Sequence, residues 1–129
     1  MLDTDICINF LRGSLNIEII RRARGFELDE LGISVVTLAE LCYGANRSAR
    51  PDHNHRLIAE FCGPLAVTDF DANAAKAYGR IRAELESAGT PIGPHDMLIA
   101  AHAVSLGTVL VTRNVREFSR VSGLEVQRW

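Results

Sequence analysis

Met1-Leu2-Asp3-Thr4-Asp5-Ile6-Cys7-Ile8-Asn9-Phe10-Leu11 opens the chain and decides how the rest is read. The stretch starts apolar, turns acidic and polar for three residues, then becomes apolar again. That pattern predicts a short strand running into a helix, with Asp3 at the strand's carboxyl end and Thr4 and Asp5 opening the helix. In open α/β sheets, ligand chemistry sits outside the carboxyl ends of the strands. An acid at that point is either a helix cap or a site residue, and other acids arriving at the same edge would decide between the two.

The 129 residues suffice for one domain, residues 1–129, with a real core. Apolar residues make up 47% and charged residues 23%, an ordinary globular balance. No apolar run reaches the roughly 18 residues of a membrane span, and no secretory leader pattern is visible, so a cytoplasmic protein with no membrane contact is expected. Cys7, Cys42 and Cys62 are widely spaced in apolar contexts and read as buried free thiols. A net charge of −2 gives no global basic footprint. All basic residues except Lys76 are arginines, which grip phosphate bidentately. They group at Arg21-Arg22-Arg24, Arg47-Arg50 and Arg113-Arg116-Arg120, each group either a solvated face or part of a phosphate track.

Beyond residue 11, strand and helix signals alternate. Asn16–Arg24 carries an irregular helical stripe stopped by Gly25, and an acidic connector holds Glu27, Asp29 and Glu30. Residues 33–36, Ile-Ser-Val-Val, form a β-branched run that predicts a buried strand. Thr37 followed by Glu40 has capping-box spacing and predicts the start of the next helix. Gly44 allows close approach on that helix. Pro51 opens a helix to about Cys62, and Leu65–Thr68 is a strand. Asp71 caps a helix to about Ala88, stopped by Gly89. Pro94 starts a helix to Leu106 that is apolar nearly all round, ended by Gly107. Thr108–Thr112 is the most strand-like run. Asn114–Phe118 is a helical turn, and residues 124–126 form an edge strand. The alternation predicts an α/β fold with a central, mostly parallel sheet flanked by helices on both faces.

Among the sixteen acids, most lie in polar connectors, on polar helix faces, or at caps such as Asp69 and Asp71. Asp3, Asp5, Glu40 and Asp96 stand instead beside apolar neighbours, where a carboxylate is costly unless it is paired or bound to a cation. Capping explains each one singly, but not their recurrence at successive α/β junctions. Clustered carboxylates persist when a divalent ion neutralises them. An all-oxygen donor set selects Mg²⁺ or Mn²⁺, which activates water and stabilises charge on a phosphoryl group. The chemistry implied is phosphodiester hydrolysis.

Four segments then carry a resemblance: Met1-Leu2-Asp3-Thr4-Asp5-Ile6; residues 34–44, Ser-Val-Val-Thr-Leu-Ala-Glu-Leu-Cys-Tyr-Gly; residues 91–103, from Pro91 through His95-Asp96 to Ala103; and residues 110–118, Leu-Val-Thr-Arg-Asn-Val-Arg-Glu-Phe. In this order they resemble the four motifs of PIN-domain ribonucleases, in particular the VapC toxins of toxin–antitoxin pairs. The resemblance implies a single PIN-like domain. It implies catalytic and metal-binding roles for Asp3, Glu40 and Asp96, with Asn114 at a fourth position that some relatives fill with Asp. That replacement leaves a complete second metal site in question. Thr4 and Thr112 correspond to hydroxyls that orient carboxylates or water, and Glu117 could reach in through water. Arg113 and Arg116 are candidates for RNA contact. His95 and His102 show no ligand pattern, and His102 reads as a hydrogen-bonded core residue rather than a base. The implied activity is a Mg²⁺-dependent endoribonuclease, with Mn²⁺ as a substitute. It cleaves structured RNA of the tRNA class, blocks translation, works as a homodimer and is held by a VapB-type antitoxin.

Two other classes remain open on the residues alone. A receiver-like regulatory module would use its acids to bind Mg²⁺, but calls for a lysine after a late strand, where Arg113 and Asn114 stand. A phosphatase with Asp3 as nucleophile and Asp5 as acid also calls for a downstream lysine, and Lys76 lies in mid-helix.

Overall fold

The computed structural model describes residues 1–17, 20, 24, 25, 27 and 30–129. In chain order its elements are α1 (Thr4–Leu11), β1 (Gly32–Ser34), α2 (Val35–Asn46), α3 (Pro51–Cys62), β2 (Ala66–Thr68), α4 (Ala72–Ser87), α5 (Pro94–Leu106), β3 (Leu110–Thr112), α6 (Val115–Phe118) and β4 (Val126–Arg128). Part of the expected helical stripe at Asn16–Arg24, including Arg21 and Arg22, lies outside the described residues, as does Asp29 of the acidic connector.

The sheet is parallel throughout its described pairs. β1 pairs with β2, and β3 with β4. Leu2 joins the two pairs as a single-residue central strand, bridging Ile33 on one side and Val111 on the other. Its amide donates to the Gly32 carbonyl at 2.8 Å, and the Asp3 amide donates to the Val111 carbonyl at 2.9 Å. The β1–β2 contact is close: a Cβ on Gly32 would stand 2.8 Å from the Ala66 carbonyl oxygen.

Alternation along the strands divides the core. Met1 and Leu110 face one side, packing with Ile81, Leu85, Met97, Ile99 and Phe118 from α4, α5 and α6. Leu2, Ile33 and Val111 face the other, packing with Ile6, Leu41, Ala45 and Ile58 from α1, α2 and α3. Helices therefore cover both faces, as a buried parallel sheet requires. The near-uniform apolarity of α5 follows from its place: Met97 and the run Ile99–Ala103 are buried.

Helix ends follow local chemistry. Asp3, Ser34 and Asp71 cap α1, α2 and α4 through their side-chain oxygens. Pro94 occupies the first turn of α5, and Gly107 ends it at φ 61°, where only glycine is unstrained. Three expected boundaries move. The strand foreseen at 33–36 stops at Ser34, because the Ser34 hydroxyl accepts from the Val36 amide at 3.1 Å and starts α2 there. Thr37 is therefore a buried residue within α2, not its cap. β3 starts at Leu110 rather than Thr108, whose amide is spent on the Ala103 carbonyl at the end of α5. β4 starts at Val126, because Leu124 closes a turn onto Val121. The thiols are free: Cys7 is buried, while Cys42 and Cys62 are only half-buried. Among the described residues, no helix is long and apolar enough to cross a membrane.

Candidate functional site

At the carboxyl edge of the sheet, the chain leaves Leu2 into α1, β1 into α2 and β3 into α6, and α5 begins there. Each of these junctions contributes an acid or its support. Asp3 is 4% exposed. Its Oδ1 accepts from the Thr4 amide at 2.7 Å, and its Oδ2 accepts from the buried Thr112 hydroxyl at 2.7 Å. Burial, and then the charges of Asp5 and Asp96, push its carboxyl up to about 7 against the pull of these bonds.

Glu40 reaches out from α2. Its Oε2 accepts from the Thr4 hydroxyl at 2.5 Å, and its Oε1 pairs with His95 Nδ1 at 2.7 Å. The Thr4 hydroxyl also lies 3.5 Å from the hydroxyl of Thr37. Asp96, in the first turn of α5, is half-buried. Its side chain lies over Gly93, where an added Cβ would stand 3.4 Å from Oδ2. Burial raises the Asp96 carboxyl, and the charges of Glu117, Glu40 and Asp5 raise it further, against the opposing pull of His95.

The sequence-singled residues Asp3, Thr4, Glu40, Asp96, Thr112 and Glu117 are thus gathered into one linked set. Asn114 stands beside it, its amide donating to the Thr112 hydroxyl at 3.0 Å. Arg113 is exposed at the rim. Its amide donates to Asp5 Oδ2 at 3.2 Å and its guanidinium to Asn9 Oδ1 at 3.3 Å. Arg116 is exposed on α6. His102 lies apart, buried in α5, with Nδ1 2.8 Å from the hydroxyl of Ser34, the cap of α2.

Two members of the set were not in the site read from the motifs. Asp5 couples electrostatically to both Asp3 and Asp96. Its apolar neighbours marked it as out of place, but the only role read for it was the acid of the phosphatase alternative. His95 had no signal, because its partner lies on another helix.

The donors are hard oxygens, and the carboxyls repel one another. Asp5 Oδ1 is buried with no hydrogen-bond partner. These features fit a divalent cation. Among the described residues, no three Asp, Glu, His or Cys side chains enclose a common ligand point as they stand. Beside Glu40, a groove of about 300 Å³ runs between α1, α2 and α3, lined by Ile8, Leu11, Leu41, Gly44, Leu57 and Ile58 among others. Nothing lies within 4 Å of where a Gly44 Cβ would stand, so the groove is open at that point.

The PIN domain family model matches residues 1–124. The chain is 43% identical over 129 residues to the tRNA(fMet)-specific endonuclease VapC of Salmonella typhimurium, an alignment spanning all of this chain and 96% of that protein. Its fold is similar to the DNA-bound VapBC of Salmonella typhimurium, with a TM-score of 0.92 and 43% identity over all of this chain and 96% of that one. It is also similar to VapBC2 of Rickettsia felis bound to a promoter DNA fragment, with a TM-score of 0.91 and 34% identity over all of this chain and 97% of that one. With the carboxylate cluster at the sheet edge and this likeness along its whole length, the chain belongs to the PIN-domain family and, within it, to the VapC ribonucleases.

Proposed function

We propose that the chain is an endoribonuclease toxin that cuts structured RNA, with tRNA as the substrate class, and so blocks translation. The observation that carries this reading is the gathering of repelling carboxyls at one sheet edge, with Asp3 buried and pushed up to about 7. Asp3, Glu40 and Asp96 would hold the divalent ion that PIN-domain ribonucleases generally need. The all-oxygen set favours Mg²⁺, with Mn²⁺ as a substitute. When bound, the ion supplies an activated water and stabilises charge on the scissile phosphate.

The chain's own groups do the rest. Thr112 and the Thr4 amide fix both oxygens of Asp3, and Thr4 fixes one oxygen of Glu40. Asn114 is tied to the same Thr112 hydroxyl, and Glu117 adds charge beside Asp96. Arg113 at the rim, with Arg116, gives phosphate a cationic approach. The groove beside Glu40 suits an apolar peptide segment of a VapB-type antitoxin, which would cover the acids from α1 and α2. A homodimer is the assembly the family resemblance implies. The receiver-like reading loses ground because the residues after β3 are Arg113 and Asn114, and the phosphatase reading because the one lysine, Lys76, lies within α4.

Asp3→Asn, Glu40→Gln and Asp96→Asn test the site. Each removes a charge and keeps the shape, so each should abolish cleavage of a tRNA transcript with Mg²⁺ while the circular dichroism spectrum is retained. A variant that cuts at the parent rate removes its residue from the site.

A further inference from the structure

We propose that His95 is a positioning residue for Glu40: its Nδ1–H, acting with the Thr4 hydroxyl, holds that carboxylate so that a divalent cation meets it already oriented. The inference rests on the carboxylate set being the cation site proposed above.

Glu40 stands on α2, and its two oxygens are tied to two other elements. Oε1 pairs with His95 Nδ1 at 2.7 Å and Oε2 accepts from the Thr4 hydroxyl at 2.5 Å. Both distances are in the charge-assisted range. Thr4 directly follows Asp3, and His95 directly precedes Asp96. One carboxylate is therefore stapled to both chain points that carry the other acids. A carboxylate only accepts, so Nδ1 carries the hydrogen whatever the charge of the ring.

Each carboxylate oxygen has two lone-pair directions, and one hydrogen bond leaves the other free. The two bonds thus orient Glu40 without competing for the ion. Orientation matters here, because the charges of Glu40, Glu117 and Asp5 all bear on Asp96, and like charges left unheld turn away from one another. His95 opposes this from the solvent side: its side chain is 60% exposed, against 26% for Glu40. An exposed ring contributes little packing, so its removal tests the bond rather than the core. Hydrogen-bonding partners of metal ligands are typically worth about 10–100-fold in metal affinity.

Calorimetric titration of the RNA-free protein with Mn²⁺ is the test, using the parent, His95→Ala, His95→Asn and Glu40→Gln. His95→Ala should weaken Mn²⁺ binding about tenfold or more and leave thermal unfolding of the metal-free protein nearly unchanged. The Asn side-chain nitrogen stands where Nδ1 does, so His95→Asn should recover most of the affinity. In cleavage assays the His95→Ala defect should shrink as Mn²⁺ is raised, a change in metal requirement more than in kcat. If His95→Ala binds Mn²⁺ as the parent does while Glu40→Gln does not, the role of His95 is overturned and the carboxylate site stands. If His95→Asn is as weak as His95→Ala, the hydrogen bond is not what the ring supplies. A parent that binds no Mn²⁺ overturns both readings.

Discussion

Asp3→Asn should stabilise the metal-free protein above neutral pH while abolishing cleavage. Asp3 is 4% exposed, and its carboxyl is pushed from 3.8 to about 7, first by burial. Between those values the unfolded chain has released the proton and the folded chain retains it. Stability therefore falls as pH rises through this window and levels off above about 7. A rise of about three units at ~1.4 kcal/mol each gives an upper bound of ~4 kcal/mol. Asparagine removes the charge and keeps an acceptor for the Thr4 amide, but forfeits the carboxylate's bond from Thr112, at a cost of ~1–2 kcal/mol. The net gain at pH 8 is then ~2 kcal/mol, or about 7 °C in Tm for a chain of this length. At pH 4 the gain should be gone and the variant slightly the less stable, because the parent's Asp3 is neutral in the fold there and only the lost Thr112 bond remains. Thermal unfolding followed by circular dichroism after chelation, at both pH values, measures this difference. Adding Mn²⁺ should then raise the Tm of the parent and not of the variant. A variant that melts at or below the parent at pH 8, or gains equally at pH 4, refutes the claim that Asp3 destabilises the fold through its own charge.

Replacing Arg113 and Arg116 together by alanine should reduce the salt slope of RNA binding by about one unit or less for each phosphate that an arginine no longer neutralises; an unchanged slope returns both to a solvated face. Asn114→Asp should tighten Mn²⁺ binding to the RNA-free protein, since site affinity follows ligand charge, and calorimetry showing equal or weaker binding would place residue 114 outside the cation's reach.

The order of elements was legible because each boundary is set by neighbours in sequence. Pro94 and Gly107 frame α5, Asp71 caps α4, and the apolar period does the rest. Errors arose where two local signals competed. Val35 and Val36 read as strand by their β-branching, but the Ser34 hydroxyl captured the Val36 amide and turned them into the first turn of α2. Thr37 then lost its expected capping role to burial. For the site, apolar surroundings drew Asp3, Asp5, Glu40 and Asp96 out of a field of acids, and the resemblance gave metal-binding roles to Asp3, Glu40 and Asp96. The pattern could not show that Asp5 and Glu117 bear on Asp96, because that coupling crosses three helices. His95 was invisible for the same reason: nothing in its own surroundings in sequence announces a carboxylate on α2.

The placement of Asp3 depends on more than its helix cap. Many aspartates cap helices, and Asp71 does so here with no part in the site. What distinguishes Asp3 is the register of the residue before it. Leu2 is hydrogen-bonded into the sheet between β1 and β3, with the Asp3 amide on the Val111 carbonyl and the Val111 amide on the Met1 carbonyl. Successive residues of a strand face opposite sides, so a slip of one position would exchange Met1 and Leu2 between the two cores. Both are buried, and each packs in a different apolar cluster. The cost of that exchange locks the register, and the locked register delivers Asp3 to the hydroxyl of Thr112 at the end of β3. The apolar residues of the opening stretch therefore fix where its acid stands. A variant that disturbs Leu2 should damage the site through the position of Asp3, even with every carboxylate intact.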